Sequence, residues 1–188
     1  MPSVLKDLWT YLRRSIGRDP AADWPSAAAV SLVFDVTRRE LNGVPLGGSY
    51  ALLRWFGRPG NPRPFRECCF GFPRLGLEAY LGLDDKIHGF ACIFTPGALS
   101  ATEMEADPEF SPCSIELRLP ADVRAQVGPG TTRADLARLL GEPEQDGEKE
   151  GLRTLIYPYP DVYLGFQFDR EDRLRVLDLE SGSPGDPD

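Results

Sequence analysis

The chain reads SYALLRWFGRP at residues 49–59 and RADLARLLGEP at residues 133–143. Both stretches contain the pattern Leu-x-Arg-x-x-Gly-x-Pro, and the two copies start 84 positions apart. Downstream, AYLGL at 79–83 recurs as VYLGF at 162–166. Internal duplication decides the architecture of a chain, so these matches predict a tandem repeat.

Each predicted repeat has the same order of elements, which is a strand, a short helix and three further strands. The helices end at glycine followed by proline, and Thr131 or Thr132 can cap the second one. The predicted segments are 31–36, 48–56, 67–72, 76–83 and 87–94 in the first repeat, and 114–119, 132–140, 152–158, 161–168 and 173–179 in the second. We therefore predict an α+β fold with a mostly antiparallel sheet, as one curved sheet or two side by side, and helices on one face.

The predicted domain plan has five parts: an N-terminal amphipathic helix (1–17), repeat 1 (30–95), an acidic linker (96–112), repeat 2 (113–180) and a disordered tail (181–188). We expect the acidic linker to be mobile, because it is rich in carboxylates and proline-flanked. The helix pattern admits either a helix packed on the domain or one lying on a membrane surface. Its apolar face carries Leu5, Leu8, Trp9, Leu12 and Ile16, and its other side carries Lys6, Arg13, Arg14 and Arg18.

Composition describes a globular, acidic chain of 188 residues with a net charge of −8. Residues 1–75 carry 11 Lys/Arg and 6 Asp/Glu (+5), whereas residues 76–188 carry 10 and 23 (−13). The acidic total argues against general nucleic-acid binding. Apolar runs are too short for integral membrane association, no secretory signal is expected, and four cysteines in no paired pattern favour a reducing cytoplasm.

Strand alternation nominates one surface. In the two matched strands Tyr80 and Gly82, and Tyr163 and Gly165, lie opposite the apolar residues, on the face away from the helices. An exposed tyrosine beside a glycine suits recognition of a partner. The same pair is also a common way to stabilise cross-strand contacts, and the alternation is compatible with both roles.

The short helix ending in Leu-Gly-x-Pro, followed by a three-stranded meander with a Tyr/Phe-rich strand and an Asp-rich turn, resembles the BamE/SmpA-type unit. A tandem of such units is similar to the β-lactamase inhibitor protein family. The resemblance rests on Asp135–Pro143 with Leu155–Leu179, echoed by Ala51–Pro59 with Phe70–Phe94. It implies a non-catalytic fold whose sheet face binds other proteins, although the cysteines do not match the inhibitor's disulfides.

Catalytic and metal chemistry finds little support. His88 is the only histidine, and the cysteines supply no C-x₂-C pair. A nucleophilic Cys68 or Cys69 with His88 as base is possible in principle, but buried structural thiols are the commoner case. Arginines and aromatic residues alternate over 54–74, yet Trp55 and Phe56 align with leucines of the second helix, which predicts core positions rather than a nucleic-acid groove.

We therefore predict a non-catalytic protein-interaction module that uses its exposed sheet face, a class that includes immunity-type and inhibitor-type binders. We expect no catalytic residue, metal or cofactor, and a protein as the partner. The alternative is a small-molecule-binding protein or enzyme with a pocket between the repeats, where His88, Tyr80 and Tyr163 converge. The binding residues we expect are Tyr80, Gly82, His88, Tyr157, Tyr163 and Gly165.

Overall fold

The computed structural model describes residues 12, 14, 16, 19–26, 30–61, 63–97, 101–149 and 151–182. These residues form an α+β fold that is mostly sheet with few helices, as predicted. The helical elements are a 3₁₀ helix at Tyr50–Phe56, α1 at Pro64–Glu67, α2 at Arg133–Leu140 and short 3₁₀ turns at Pro73–Leu75, Met104–Ala106 and Pro120–Asp122. The strands are β1 (Leu32–Asp35), β2 (Glu40–Leu41), β3 (Val44–Pro45), β4 (Cys69–Phe72), β5 (Leu77–Leu81), β6 (Ile87–Ile93), β7 (Ile115–Arg118), β8 (Arg124–Val127), β9 (Gln145–Lys149), β10 (Leu152–Tyr159), β11 (Val162–Phe168) and β12 (Leu174–Ser181).

The strands are divided between two sheets. One has the order β3-β2-β1-β7-β8 and the other β4-β5-β6-β12-β11-β10-β9. Two meanders of three antiparallel strands, β4–β6 (the first meander) and β10–β12 (the second meander), meet where β6 pairs with β12. The β1–β7 pair is parallel, which the antiparallel prediction missed. Parallel neighbours need a long crossover, and residues 36–114 provide it.

One continuous core lies between the sheets. Phe34 and Leu117 of the five-stranded sheet share a buried cluster with Phe90, Phe166 and other residues of the seven-stranded sheet. Apolar residues at every second position of these strands point to this core. We call the opposite side of the seven-stranded sheet the outer face, and a second, smaller cluster of Ala91, Ile93, Met104 and Val176 lies there.

The first predicted helix is a 3₁₀ helix, and this changes which of its residues are buried. Three residues per turn align Leu53 with Phe56, and both side chains are buried. Trp55 is 71% exposed and Leu52 is exposed as well. The prediction that Trp55 is a core residue is therefore wrong, while Phe56 packs at 5.6 Å from the ring of Phe72 in the core.

The second predicted helix is α-helical from Arg133 to Leu140. Thr132 caps it, since its hydroxyl accepts a hydrogen bond from the Asp135 amide and the Asp135 carboxylate accepts one from the Thr132 amide at 3.0 Å. This reciprocal capping box satisfies two backbone donors at the helix start. Leu136 projects into the main core, so the helix is fixed both by its cap and by packing.

The described part of the acidic linker lies against the outer face over the first meander. Met104 is buried there among Ala91, Ile93 and Val176. Thr102 occupies the space above Gly71, where an added Cβ would lie 2.5 Å from its hydroxyl oxygen. Residues 101–112 are thus a packed element of the fold, whereas the charge of the segment predicted a mobile linker. The buried Met104 side chain and the close contact of Thr102 with Gly71 hold the segment on the sheet despite its carboxylates.

Within the predicted N-terminal helix, one charged residue faces inward. Leu12, Arg14 and Ile16 are helical, Arg14 is only 5% exposed, and Ile16 is 82% exposed. The expectation that the basic side faces solvent is therefore wrong at Arg14. Its guanidinium is buried because it finds acceptors, namely Asp85 Oδ1 at 2.6 Å and the Gly82 carbonyl at 2.7 Å.

Residues 1–11 of the predicted helix and 183–188 of the predicted tail lie outside the described residues. The tail was expected to begin at residue 181, but Ser181 is the last residue of β12. Within the described part of the chain, no helix has the length and hydrophobicity needed to cross a lipid bilayer.

Candidate functional site: the outer face of the seven-stranded sheet

Strand register places the two matched tyrosines in one row of the outer face. Tyr80 pairs with Gly89, Gly89 with Glu180, and Glu180 with Tyr163. Tyr80 and Tyr163 are therefore three strand spacings apart, about 14 Å between their backbones. Both point away from the main core, in the direction that the sequence alternation predicts.

Tyr80 lies beneath the acidic linker. Its ring packs on the small outer cluster, beside Met104 and Phe110, and its hydroxyl donates a 2.7 Å hydrogen bond to Glu78. Burial, together with the nearby Glu78 carboxylate, raises the pKa of Tyr80 well above its usual range. This tyrosine is half-buried between the sheet and the linker and is held there by packing and by the hydrogen bond to Glu78.

Tyr163 occupies the part of the row contributed by the second meander, where it is half-buried. Its hydroxyl donates to the carboxylate of Glu180 on the neighbouring strand. At Gly165, a Cβ atom would approach only Asp178, at an ordinary contact distance of 3.7 Å. Gly165 is itself buried, so the backbone beside Tyr163 is covered although a Cβ atom would fit there.

Gly82 and His88 form a contact of their own at the end of β5. A Cβ on Gly82 would lie 2.3 Å from Nε2 of His88, so the imidazole covers this glycine. Gly82 does not leave the backbone bare, which corrects the expectation drawn from its match to Gly165. His88 itself is exposed, and its Nε2 is 3.5 Å from Oδ1 of Asp84.

Tyr157 faces the opposite way from the other predicted binding residues. It pairs with Leu164, is 4% exposed and meets the ring of Phe166 edge-on at 5.7 Å. It is a residue of the main core, so its place in the predicted binding set is wrong. The sequence indicates this orientation, because Tyr157 follows the buried Leu155 by two positions and residues two apart in a strand share one face.

Three carboxylates on the outer face were missed in the sequence. Glu78 on β5 is fully buried and accepts hydrogen bonds from Tyr80 and from the backbone amide of Thr102 at 3.0 Å. On β12, Asp178 and Glu180 alternate with core leucines, a visible period-2 pattern. Burial raises the pKa of Asp178 to about 7, and the charges of Glu180 and Glu78 add to this, while a 2.8 Å hydrogen bond from Gln167 opposes it.

Nucleophilic and metal chemistry gains no support from the geometry. All four cysteines are free, and burial raises the pKa of Cys69 far above its usual range, which keeps the thiol protonated. Cys92 is buried in the main core whereas His88 is exposed. Among the described residues, no group of three or more His, Cys, Asp or Glu side chains is arranged to hold a metal ion.

Shallow polar grooves lie away from the tyrosines. One of about 420 Å³ follows the five-stranded sheet along Val33, Glu116 and Gln126, and another of about 210 Å³ lies between Arg58 and Glu109. Neither is lined by Tyr80, Tyr163 or His88. Tyr80 and Tyr163 stand on the outer face of the sheet, and His88 stands at its end.

Comparison with known proteins gives similarity of fold alone. No protein-family model matches the chain, and no curated protein matches it. Among solved structures, the crystal structure of a DUF4309 family protein, YjgB from Bacillus subtilis, is similar with a TM-score of 0.50 and 13% sequence identity. The alignment covers 76% of this chain and 84% of that one.

Proposed function

We propose that the chain is a non-catalytic protein-binding module that engages its partner through the outer face of the second meander. The observation that carries this proposal is the unequal cover of the two meanders. The acidic linker packs over the first meander, where its Met104 is buried against Ala91 and Ile93 in the cluster that Tyr80 also contacts. On the second meander, Thr154, Ile156 and Pro158 alternate with buried residues and remain half-exposed.

The proposed surface combines apolar contact area with negative charge. Ile156 on β10 pairs with Gly165 on β11, and Pro158 pairs with Tyr163. Gly165, which has no side chain, therefore lies between the side chain of Ile156 and the ring of Tyr163; we call this position the glycine gap. Asp178 and Glu180 border the same gap from β12. A half-exposed tyrosine among such neighbours is typical of interface anchors, and the carboxylates favour a partner with a basic surface.

We also propose that the two meanders belong to duplicated units of strand, helix and three strands. The order of elements supports this proposal. The 3₁₀ helix and β4–β6 follow β1, and α2 and β10–β12 follow β7 in the same sequence. In this proposal the outer face of the second unit is available for binding, whereas the acidic linker covers the same face of the first unit. The resemblance to tandem BamE/SmpA-type units fits a binding role, but no comparison bears on it.

The test is capture of a partner by the immobilised chain, compared between variants. Ile156→Glu combined with Tyr163→Ala should abolish capture, because the pair removes both anchors and puts a solvated charge in place of an apolar contact. Leu139→Glu makes the same kind of change at an exposed apolar residue on α2 and should leave capture intact. Hydrogen exchange of the complex should show protection confined to β10–β12. A partner that both variants retain, or that protects another surface, refutes the proposal.

A further inference from the structure

Large apolar side chains that face solvent are concentrated in one neighbourhood. Among the described residues, seven such side chains are exposed, and five of them come from the N-terminal helix, the 3₁₀ helix and the turn at 82–86, namely Leu12, Ile16, Leu52, Trp55 and Leu83. The other two, Val123 and Leu139, belong to the loop before β8 and to α2. Exposed apolar side chains gathered on neighbouring segments are a feature of interaction sites.

The turn at 82–86 joins the three segments. The Arg14 guanidinium of the N-terminal helix donates to the Gly82 carbonyl and to Asp85. From the other side, the Tyr50 amide donates to the Asp85 carbonyl at 3.3 Å, and Ser49 forms a β-bridge with Lys86. Arg14 and Tyr50 also share one aromatic neighbour, the ring of Phe65. The three segments that carry the exposed apolar residues are therefore joined through the turn at 82–86.

Helix geometry explains why Leu12 and Ile16 face outward. Successive residues turn by about 100°, so residues 12 and 16 lie about 40° apart, and each is about 160° from residue 14. Because Arg14 is buried against the turn, the apolar stripe must point to solvent.

The segments that carry the apolar patch hold more basic than acidic side chains. Residues 47–67 include four exposed arginines, Arg54, Arg58, Arg63 and Arg66, and one acidic residue, the exposed Glu67. None of the four forms an ion pair with another described residue. The turn adds Lys86, balanced by Asp84 at 3.8 Å, while the charge of Asp85 is neutralised by Arg14.

We propose that this patch docks on an anionic lipid bilayer as a peripheral membrane contact. A helix with outward apolar residues, an exposed tryptophan and unpaired arginines are the features that bind the interface of such a bilayer. Binding to a second copy of the chain is disfavoured, because a twofold contact would bring the same unpaired arginines together. This site is separate from the outer face and does not depend on the proposed partner.

Vesicle flotation with the full chain tests the proposal. The chain should float with phosphatidylcholine vesicles that contain about 30 mol% phosphatidylglycerol and not with pure phosphatidylcholine. Ile16→Ser with Trp55→Ser, and separately Arg54→Glu with Arg58→Glu, should each lower the bound fraction by about tenfold or more. Val123→Ser with Leu139→Ser is the matched control and should bind like the wild type.

All the substituted side chains are exposed, so thermal unfolding should confirm that each variant is folded. Absence of flotation with anionic vesicles overturns the proposal, as does equal binding by the patch variants and the control. Sedimentation velocity provides the competing result. A dimer that becomes monomeric on Ile16→Ser would assign the patch to a second copy of the chain.

Discussion

Replacing Asp178 by asparagine should stabilise the folded chain at neutral pH and remove part of its pH dependence. Asp178 is held on the outer face by a hydrogen bond from Gln167, and an asparagine oxygen can accept the same bond. Burial raises the pKa of the carboxyl from 3.8 to about 7, with further contributions from Glu180 and Glu78. The ionised form is therefore less stable in the folded chain than in the unfolded one.

The sign and window follow from proton linkage. Between pH 4 and about 7 the unfolded chain has lost this proton while the folded chain keeps it, so stability falls as pH rises through the window and is level above it. A rise of about 3 pKa units corresponds to about 4 kcal/mol as an upper limit. Relaxation and water access at a half-buried side chain reduce this to about 1–3 kcal/mol.

Urea unfolding at several pH values between 4.5 and 8 measures the effect. The difference in unfolding free energy between Asp178→Asn and wild type should be smallest at the lowest pH and grow to its full value at pH 8. Glu78 and Glu180 are present in both proteins, so the difference isolates Asp178. Asp161→Asn, at an exposed position in the β10–β11 turn, is the control and should not show this growth. A difference that is constant with pH would refute the reasoning.

Three further changes test other parts of the fold by urea unfolding. Arg14→Met should destabilise the chain by about 2–4 kcal/mol, because it removes the buried guanidinium that bonds Asp85 and the Gly82 carbonyl; an effect below 1 kcal/mol would contradict the buried anchor. Glu78→Gln should cost about 1–3 kcal/mol and speed cleavage within residues 101–112 by a glutamate-specific protease, since it weakens the hydrogen bonds that hold this segment. Unchanged cleavage would show that apolar packing alone holds it. Thr132→Ala should cost about 1 kcal/mol through loss of the helix cap, whereas Thr132→Ser should restore most of it.

Local patterns in the sequence predicted much of the fold. Period-2 alternation located the strands of both meanders and the direction of Tyr163, and glycine followed by proline marked where the helices end. The alternation also contained information that we did not use. It places Tyr157 on the core side of the sheet and Tyr163 on the outer face, and it places Asp178 and Glu180 together on the outer face. These features depend on residues close together in the chain, which is why the sequence reveals them.

Features that depend on distant segments were not predictable in the same way. The parallel β1–β7 pair and the antiparallel β6–β12 pair join residues about 80 positions apart. Burial of Arg14 depends on acceptors in the turn at 82–86, and exposure of Trp55 depends on a 3₁₀ rather than an α-helical turn. Each of these is decided by tertiary contacts that override the local preference of the segment.

The difference between the two tyrosine sites can be attributed to one carboxylate. Two residues before Tyr80, Glu78 is buried and holds both the phenol and the backbone of the acidic linker. Two residues before Tyr163 stands Asp161, which is exposed in a turn, and the phenol of Tyr163 bonds instead to Glu180 on β12. A segment that packed over the second meander would find no buried carboxylate at position 161 to accept hydrogen bonds from its backbone, as Glu78 accepts one from Thr102. The matched sequence therefore produces a covered face in one meander and an open face in the other, so partner binding should respond to substitution of Tyr163 and not of Tyr80, whose loss should appear in stability.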